Sequence, residues 1–336
     1  MSAAKEILRT EDLSIGYAKT GGAPLYESLD LSLDSGSLTC LMGTNGTGKS
    51  TLIKTLTGLI PEMSGKIAYN GDESLFRNPA RRAKVFSVVL TNQSFSGLLR
   101  VWELVALGRH PYTKWTGRYS KEDHEKVEWA ISAVRLELLK DRMIHTLSDG
   151  EKQRVSIARA LAQETPLIYM DEPTAFLDLM HKIELMHILR KLVKECNFTL
   201  LISTHDLQLA LQYSDELWLM NRVSGVKKGL PEDLLLDGSI AEVFGNEELG
   251  FDSESGHFKG KTELKHRVSL EGDSVGVKWT KHALEKIGVG VAESEVEPSV
   301  LVSKIDAGRF EWSIGDRKCD TLEALNRILS GMFDEK

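Results

Sequence analysis

The chain has 336 residues, enough for one large domain or two smaller ones. Its apolar fraction of 41% and charged fraction of 27% are ordinary for a globular protein, and a net charge of -7 gives no reason to expect non-specific nucleic-acid binding. No run approaches the ~20 apolar residues of a membrane helix, so work at a membrane would need another chain to supply the span. The N-terminal stretch has no long apolar core, so no secretory signal is expected. Cys40, Cys196 and Cys319 are scattered without metal-ligand spacing and read as reduced cytosolic thiols.

Taken in chain order, residues 6–16 alternate loosely, and residues 25–33 alternate clearly, with Leu25, Leu29, Leu31 and Leu33 at odd positions. Two strands of a half-buried antiparallel sheet are predicted. Residues 37–42 read as a short apolar strand and 51–56 as a helix. Residues 64–71 predict a strand ending in an Asn70-Gly71 turn, and 85–90 form a β-branched run suited to a buried parallel strand. Residues 98–163 are mostly helical, with Val127, Ile131, Val134 and Leu138 on one expected face. A strand at 166–170, a helix over roughly 179–195, a strand at 198–203, a helix from Asp206 and a strand at 216–220 follow. Such alternation predicts a parallel α/β sheet, with the N-terminal antiparallel sheet packed beside it. Residues 246–267 read as a polar linker. Beyond it, a helix at 279–287, strands at 299–305 and 310–314, and a helix at 321–329 predict a small α+β domain. The expected division is therefore 1–248 and 262–336.

Between the strand at 37–42 and the helix at 51–56 lies Gly43-Thr44-Asn45-Gly46-Thr47-Gly48-Lys49-Ser50. Glycines at these spacings let backbone N–H groups turn inward around an anion, and the helix N-terminus adds partial positive charge. Lys49 can reach outer phosphates and Ser50 can ligate Mg²⁺. The strand ending in Asp171-Glu172 places paired acids where open α/β sheets bind ligand. Phosphoryl transfer wants one carboxylate on the Mg²⁺ shell and one to orient or deprotonate water, roles that suit Asp171 and Glu172. Leu147-Ser148-Asp149-Gly150-Glu151 opens a helix that Ser148 can cap with Glu151 three residues on, giving a second anion-facing helix end. By itself that stretch is better explained by capping alone.

In combination these stretches resemble the ATPase subunit of an ABC transporter. Residues 43–51 match the first Walker motif and 167–172 the second. Residues 147–151 resemble the family signature, Gln93 sits at the Q-loop position, and Ala175-Phe176-Leu177-Asp178 resembles the D-loop. Ser203-Thr204-His205-Asp206 matches the switch-histidine segment, and Tyr17 sits where the family places an aromatic on adenine. The resemblance spans residues 6–245 and implies a P-loop NTPase of the ABC ATPase type, with antiparallel β and helical subdomains. The small C-terminal α+β domain lies outside it. It implies ATP and Mg²⁺ as ligands. The nucleotide would contact Tyr17, Gly43, Asn45, Gly46, Gly48, Lys49, Ser50, Thr51, Asp171 and Asp178, with Ser148 and Gly150 acting on the ATP of a partner subunit. Glu172, His205 and Gln93 would be catalytic, and Ser50, Gln93 and Asp171 would hold the metal. Two positions depart from the signature: Asp149 replaces a glycine and Glu151 a glutamine. A carboxylate facing a γ-phosphate is repulsive, so Asp149 is expected to point away while Gly150 keeps the close approach.

Residues 101–112 and 176–184 are similar to the importer ATPases for ferric siderophores, haem and vitamin B12. Residues 101–112 should form a groove for the coupling helix of a permease, although about half of Trp102, Leu104, Val105 and Leu107 must be helix core. The resemblance thus implies a homodimer at the cytoplasmic face of the plasma membrane, working with a multi-span permease and indirectly with a periplasmic binding protein. A haem or vitamin B12 importer, or an exporter or lipid-transport ATPase, is the alternative. A soluble ATPase acting on ribosomes or DNA lacks its usual fused halves or coiled coils. The C-terminal domain reads as either regulatory or dimer-stabilising.

Overall fold

The computed structural model describes residues 5–17, 22–91, 98–113, 117–175, 177–245, 249–252, 256–260, 263–292, 294, 296–306 and 308–334. The chain forms two compact units: Met1–Asn246 with Phe251–His257, and Glu247–Gly250 with Phe258–Lys336.

The first unit begins with an antiparallel sheet centred on β1 (Glu6–Ile15), which pairs with β2 (Tyr26–Leu29), β3 (Ser32–Asp34) and β5 (Ser64–Tyr69). The alternation over 25–33 thus spans two short strands rather than one. Ser28, at a φ of 50°, makes an irregularity inside β2, where the pairing with β1 shifts register, yet Leu29, Leu31 and Leu33 all still reach the core. β4 (Leu38–Met42) is buried along its whole length and carries the glycine-rich loop into α1 (Lys49–Leu56). After β5, Asn70 and Gly71 both take positive φ, the turn that their sequence demands. A 3-10 turn and α2 (Pro79–Arg82) lead to β6 (Phe86–Val89).

A helical layer follows: α3 (Val101–Ala106), a 3-10 segment (Leu107–Tyr112), α4 (Lys121–Ala133) and α5 (Asp149–Ala162). Val127, Ile131 and Val134 are buried as their spacing predicts, but Leu138 is 96% exposed. Helix α4 ends at Ala133 and Arg135 turns the chain at a φ of 59°, so Leu136 enters the core in its place. Buried Arg109 ties this layer together. Its Nε donates to Asp123 Oδ1 (2.8 Å) and its Nη1 to Ala162 O (2.9 Å) and Glu164 Oε2 (3.1 Å).

The chain then builds the central sheet with β7 (Leu167–Asp171), α6 (Leu179–Cys196), β8 (Thr199–Ser203), α7 (Leu207–Tyr213), β9 (Glu216–Asn221) and β10 (Gly225–Gly229). The order is β10-β9-β4-β8-β7-β6, parallel except for the β9–β10 hairpin. α8 (Pro231–Leu236) and α9 (Ser239–Phe244) close the unit. Strands β4, β7 and β8 are buried throughout, which is why they read as unbroken apolar runs.

Two strands, β11 (Leu249–Asp252) and β12 (His257–Gly260), lie within the stretch read as a linker. The second unit contains β13 (His266–Gly272), α10 (Ser274–Glu285), β14 (Val289–Val291), β15 (Ser299–Asp306), β16 (Arg309–Ile314), β17 (Arg317–Cys319) and α11 (Leu322–Asp334). Its sheet runs β14-β13-β15-β16-β17 over a core that includes Val268, Leu284, Val300, Val302, Trp312, Leu325 and Leu329. Helix α10 starts five residues before its apolar pattern because Asp273 caps it, accepting from Val275 N and Gly276 N at 3.0 Å each. Among the described residues, no helix is long and apolar enough to cross a membrane.

Candidate functional site

The parallel register of the central sheet aligns the carboxyl ends of its strands, and the candidate residues collect there. Where β4 ends, Gly43 passes so close to β9 that a Cβ would lie 2.6 Å from Met220 O. Gly48, at a φ of 108°, opens α1. Lys49 is buried and folds back over the loop, its Nζ donating to Gly43 O (2.9 Å) and Thr44 O (3.2 Å). Burial lowers its pKa, while Glu172 and Asp171 act in the opposite sense. Asn45 and Gly46 are exposed at the tip of the loop. Thr51 is buried one turn into α1, its Oγ1 3.2 Å from the hydroxyl of Tyr17. Tyr17 is 50% exposed beside the loop.

Asp171 faces Ser50, whose Oγ donates to Asp171 Oδ1 at 3.0 Å. The β7–β8 register sets Ser203 opposite Asp171, and Ser203 Oγ donates to the same Oδ1 at 2.7 Å. That hydroxyl also accepts the N–H of Glu172 at 2.9 Å. Glu172 lies in the left-handed region at a φ of 49°, a conformation that costs free energy for a non-glycine residue. The turn brings its carboxylate to His205, with Nε2 and Oε1 2.5 Å apart. Thr91 Oγ1 donates to Asp171 O at 2.6 Å, tying the segment after β6 to the same strand end. Ser203 and Thr91 are site residues that the motif reading missed. Ser203 belonged to a recognised stretch, but only the strand register shows what it touches. Gln93 lies outside the described residues.

A second group gathers around the start of α5. Ser148 Oγ accepts the N–H of Glu151 (3.3 Å), and Ser148 N donates back to Glu151 Oε2 (2.8 Å), a complete capping box. The Ser148 N–H and hydroxyl hold the Glu151 carboxyl below its usual range. Asp149 pairs with Lys152 (3.1 Å) and its side chain is 77% exposed, turned along its own helix. A Cβ on Gly150 would lie 3.1 Å from Leu177 Cδ2, so the helix start packs against the residue before Asp178. Asp178 caps α6 by accepting the N–H of His181 (2.9 Å), and its Oδ2 lies 2.8 Å from His181 Nδ1.

The architecture therefore offers a backbone anion cradle, a lysine, a hydroxyl–carboxylate pair and a carboxylate–imidazole pair at one sheet edge. This is the equipment of nucleotide hydrolysis. Comparison with known proteins agrees. Residues 26–175 match the ABC transporter family model, and residues 265–330 match the iron ABC transporter C-terminal domain. An uncharacterised ABC transporter ATP-binding protein of Methanocaldococcus jannaschii is 36% identical over 253 residues, covering 75% of this chain and 86% of the relative. The siderophore transport system ATP-binding protein YusV of Bacillus subtilis is 37% identical over 238 residues, 70% of this chain and 85% of the relative. The ferric enterobactin transport ATP-binding protein FepC of Escherichia coli is 35% identical, covering 71% and 87%. Among solved structures, the ADP conformation of the ATP-binding cassette MJ1267 superposes with a TM-score of 0.63 at 26% identity, covering 72% of this chain and 99% of that one. With fold, site and relatives in agreement, the chain belongs to the ATP-binding proteins of ABC transporters, P-loop ATPases whose hydrolysis is coupled to transport, and it carries an iron ABC transporter C-terminal domain.

Proposed function

We propose that the chain powers import of a ferric siderophore, hydrolysing ATP at a site completed by a second copy of itself. The match of residues 265–330 to the iron ABC transporter C-terminal domain carries this reading. The relatives named for siderophore and ferric enterobactin transport support it. The partners are a multi-span permease, which supplies the membrane path, and indirectly a periplasmic binding protein. The chain works peripherally at the cytoplasmic face. Functionally, residues 1–248 form the nucleotide-binding domain and 262–336 the accessory domain.

Each residue has a task that its environment suits. Tyr17 offers its exposed ring to the adenine. The backbone from Gly43 to Gly48, with Asn45 and Gly46 at the tip and Thr51 just inside α1, surrounds the phosphates. Lys49, already desolvated, exchanges two loop carbonyls for phosphate oxygens. Ser50 and Asp171 present hard oxygen ligands 3.0 Å apart, a donor set that fits Mg²⁺, with Gln93 as a further oxygen ligand. Bound there, Mg²⁺ supplies charge neutralisation at the outer phosphates. Glu172 takes a proton from the attacking water, and His205 holds that carboxylate in place. Ser148 and Gly150 contact the partner's nucleotide, and Asp178 lies at the same subunit boundary.

Uptake of radioiron-labelled siderophore by cells lacking this protein tests the reading. Wild-type chain should restore uptake and Glu172→Gln should not. Undiminished uptake in the deleted strain would rule out the siderophore role while leaving the ATPase intact.

A further inference from the structure

Glycine at position 46 is at once an asset and a problem for the loop. Gly46 has a φ of +75°, and a Cβ there would meet nothing within 4 Å. On the Gly46 side no packing fixes the peptide that follows, although Thr47 beyond it is buried and its Oγ1 donates to Thr44 O at 2.8 Å. A glycine-flanked peptide rotates at little cost, so an N–H meant for an anion would spend time pointing elsewhere unless something orients it.

The β9–β10 hairpin supplies that something. β9 lies beside β4, with Leu219 opposite Met42, so the chain leaving β9 turns next to the chain leaving β4. Asn221 pairs with Gly225, and Arg222, Val223 and Ser224 span the gap. Gly225 takes a φ of 85°, in the left-handed region that favours glycine, where the chain rejoins the ladder. Asn221 Oδ1 accepts the N–H of Val223 at 2.8 Å and fixes the turn. Turn and register together aim Arg222 across at the loop, where its Nη2 donates to Gly46 O at 2.6 Å. Thr44 to Thr47 and Met220 to Arg222 line one pocket of about 440 Å³ at this junction.

In a trans peptide the carbonyl and the following N–H point to opposite sides. Drawing Gly46 O toward Arg222 therefore turns the Thr47 N–H the other way, across the loop to Thr44 O. That second bond is long, 3.3 Å, and an anion can displace it readily. The carbonyl is thus held by a short charge-assisted bond and the N–H by a weak one.

We propose that Arg222 is a positioning residue that presets the Gly46–Thr47 peptide, so that the Thr47 N–H faces the phosphate site before nucleotide arrives. This rests on the reading of residues 43–50 as that site. Because the contact acts on the loop rather than on the terminal phosphate, it serves ADP and ATP alike.

The test uses the full chain with Arg222→Met, which keeps the stem but loses the donors, and Arg222→Lys, which keeps one charged donor. Equilibrium binding should show Arg222→Met weaker for ADP and ATP by the same factor, about five- to tenfold, the scale of one net hydrogen bond. The fall in kcat/KM should be carried by KM. Arg222→Lys should recover part of the loss, and hydrogen exchange at the Thr47 amide should quicken in Arg222→Met alone. Unchanged ADP affinity in Arg222→Met, or a fall in kcat at unchanged KM, overturns the proposal. Lys49→Ala separates the two readings. If it loses nucleotide while Arg222→Met does not, only the role of Arg222 fails. If Lys49→Ala also binds normally, the phosphate-site reading fails as well.

Discussion

The two ends of the first unit that bear on nucleotide are built on different plans. At the phosphate-loop end, functional side chains are held by other parts of the fold: Asp171 by Ser50 and Ser203, Glu172 by Ser203 and His205. At the signature end, Ser148 and Glu151 hydrogen-bond each other, and Asp149 lies in solvent beside Lys152. The first arrangement is preorganised, because hydrogen bonds from other elements of the fold fix each group. The second is a helix end whose capping hydrogen bonds are internal to it, with Gly150 packed near Leu177. That self-sufficiency is compatible with the proposed role of Ser148 and Gly150 toward a partner's nucleotide.

The sharpest way to break this contrast is Glu172→Gln. Hydrolysis should fall about 10²- to 10⁴-fold while ATP still binds, measured by phosphate release and by equilibrium binding. Near-normal turnover would remove Glu172 from the role of base and leave the strained φ of 49° without a purpose.

Next in size is Ser203→Ala, which strips a donor from buried Asp171 and an acceptor from the Glu172 N–H. A loss of about 1–3 kcal/mol in unfolding free energy is expected from the unpaired groups, with hydrolysis falling alongside it. If denaturant melts and turnover both match wild type, the phosphate-loop end is not interlocked as described.

At the signature end the effects should be smaller on the isolated subunit. Ser148→Ala removes the cap at a cost of about 0.5–2 kcal/mol, yet nucleotide binding by a dilute chain should be unchanged, with the deficit appearing only in turnover at high protein concentration. Asp149→Gly should alter ATP affinity less than tenfold, because the exposed carboxylate already points along its own helix. A larger gain would mean that Asp149 faces nucleotide after all.

The smallest effect concerns the anchor behind β4. Burial tends to raise the pKa of Asp215, but hydrogen bonds from Arg190 and from Leu38 N (2.9 Å) outweigh it and hold the carboxyl low. A depressed carboxyl adds stability above its unfolded pKa and loses it as pH falls through the folded value. Arg190→Met should therefore cost stability at neutral pH, about 1 kcal/mol or less for a pair this exposed, and the gap should close in acid. Parallel thermal melts at neutral and acid pH would show it, and a gap that widened in acid would contradict the assignment.

Much of this protein was legible before any coordinates. Unbroken apolar runs identified β4, β7 and β8 because strands covered on both faces need no polar alternation. The spacing Gly43 to Ser50 identified the cradle because glycine tolerates those turns, and helix period identified the buried Val127, Ile131 and Val134 of the helical layer. Errors arose where local pattern competed with long-range packing. Leu138 keeps helical spacing but falls after the helix has ended, and the start of α10 follows its Asp273 cap rather than its apolar stripe.

The sequence by itself determined the chemistry available: a lysine, a hydroxyl, paired acids, an imidazole and two helix N-termini in a fixed chain order. Only the tertiary structure decided which of these meet. Strand register set Ser203 against Asp171, and the β9–β10 turn set Arg222 against Gly46, pairs separated by 32 and 176 positions. Periodicity reports a residue's immediate neighbours along one element. Contacts across a sheet depend on strand order and register, which the whole core selects at once.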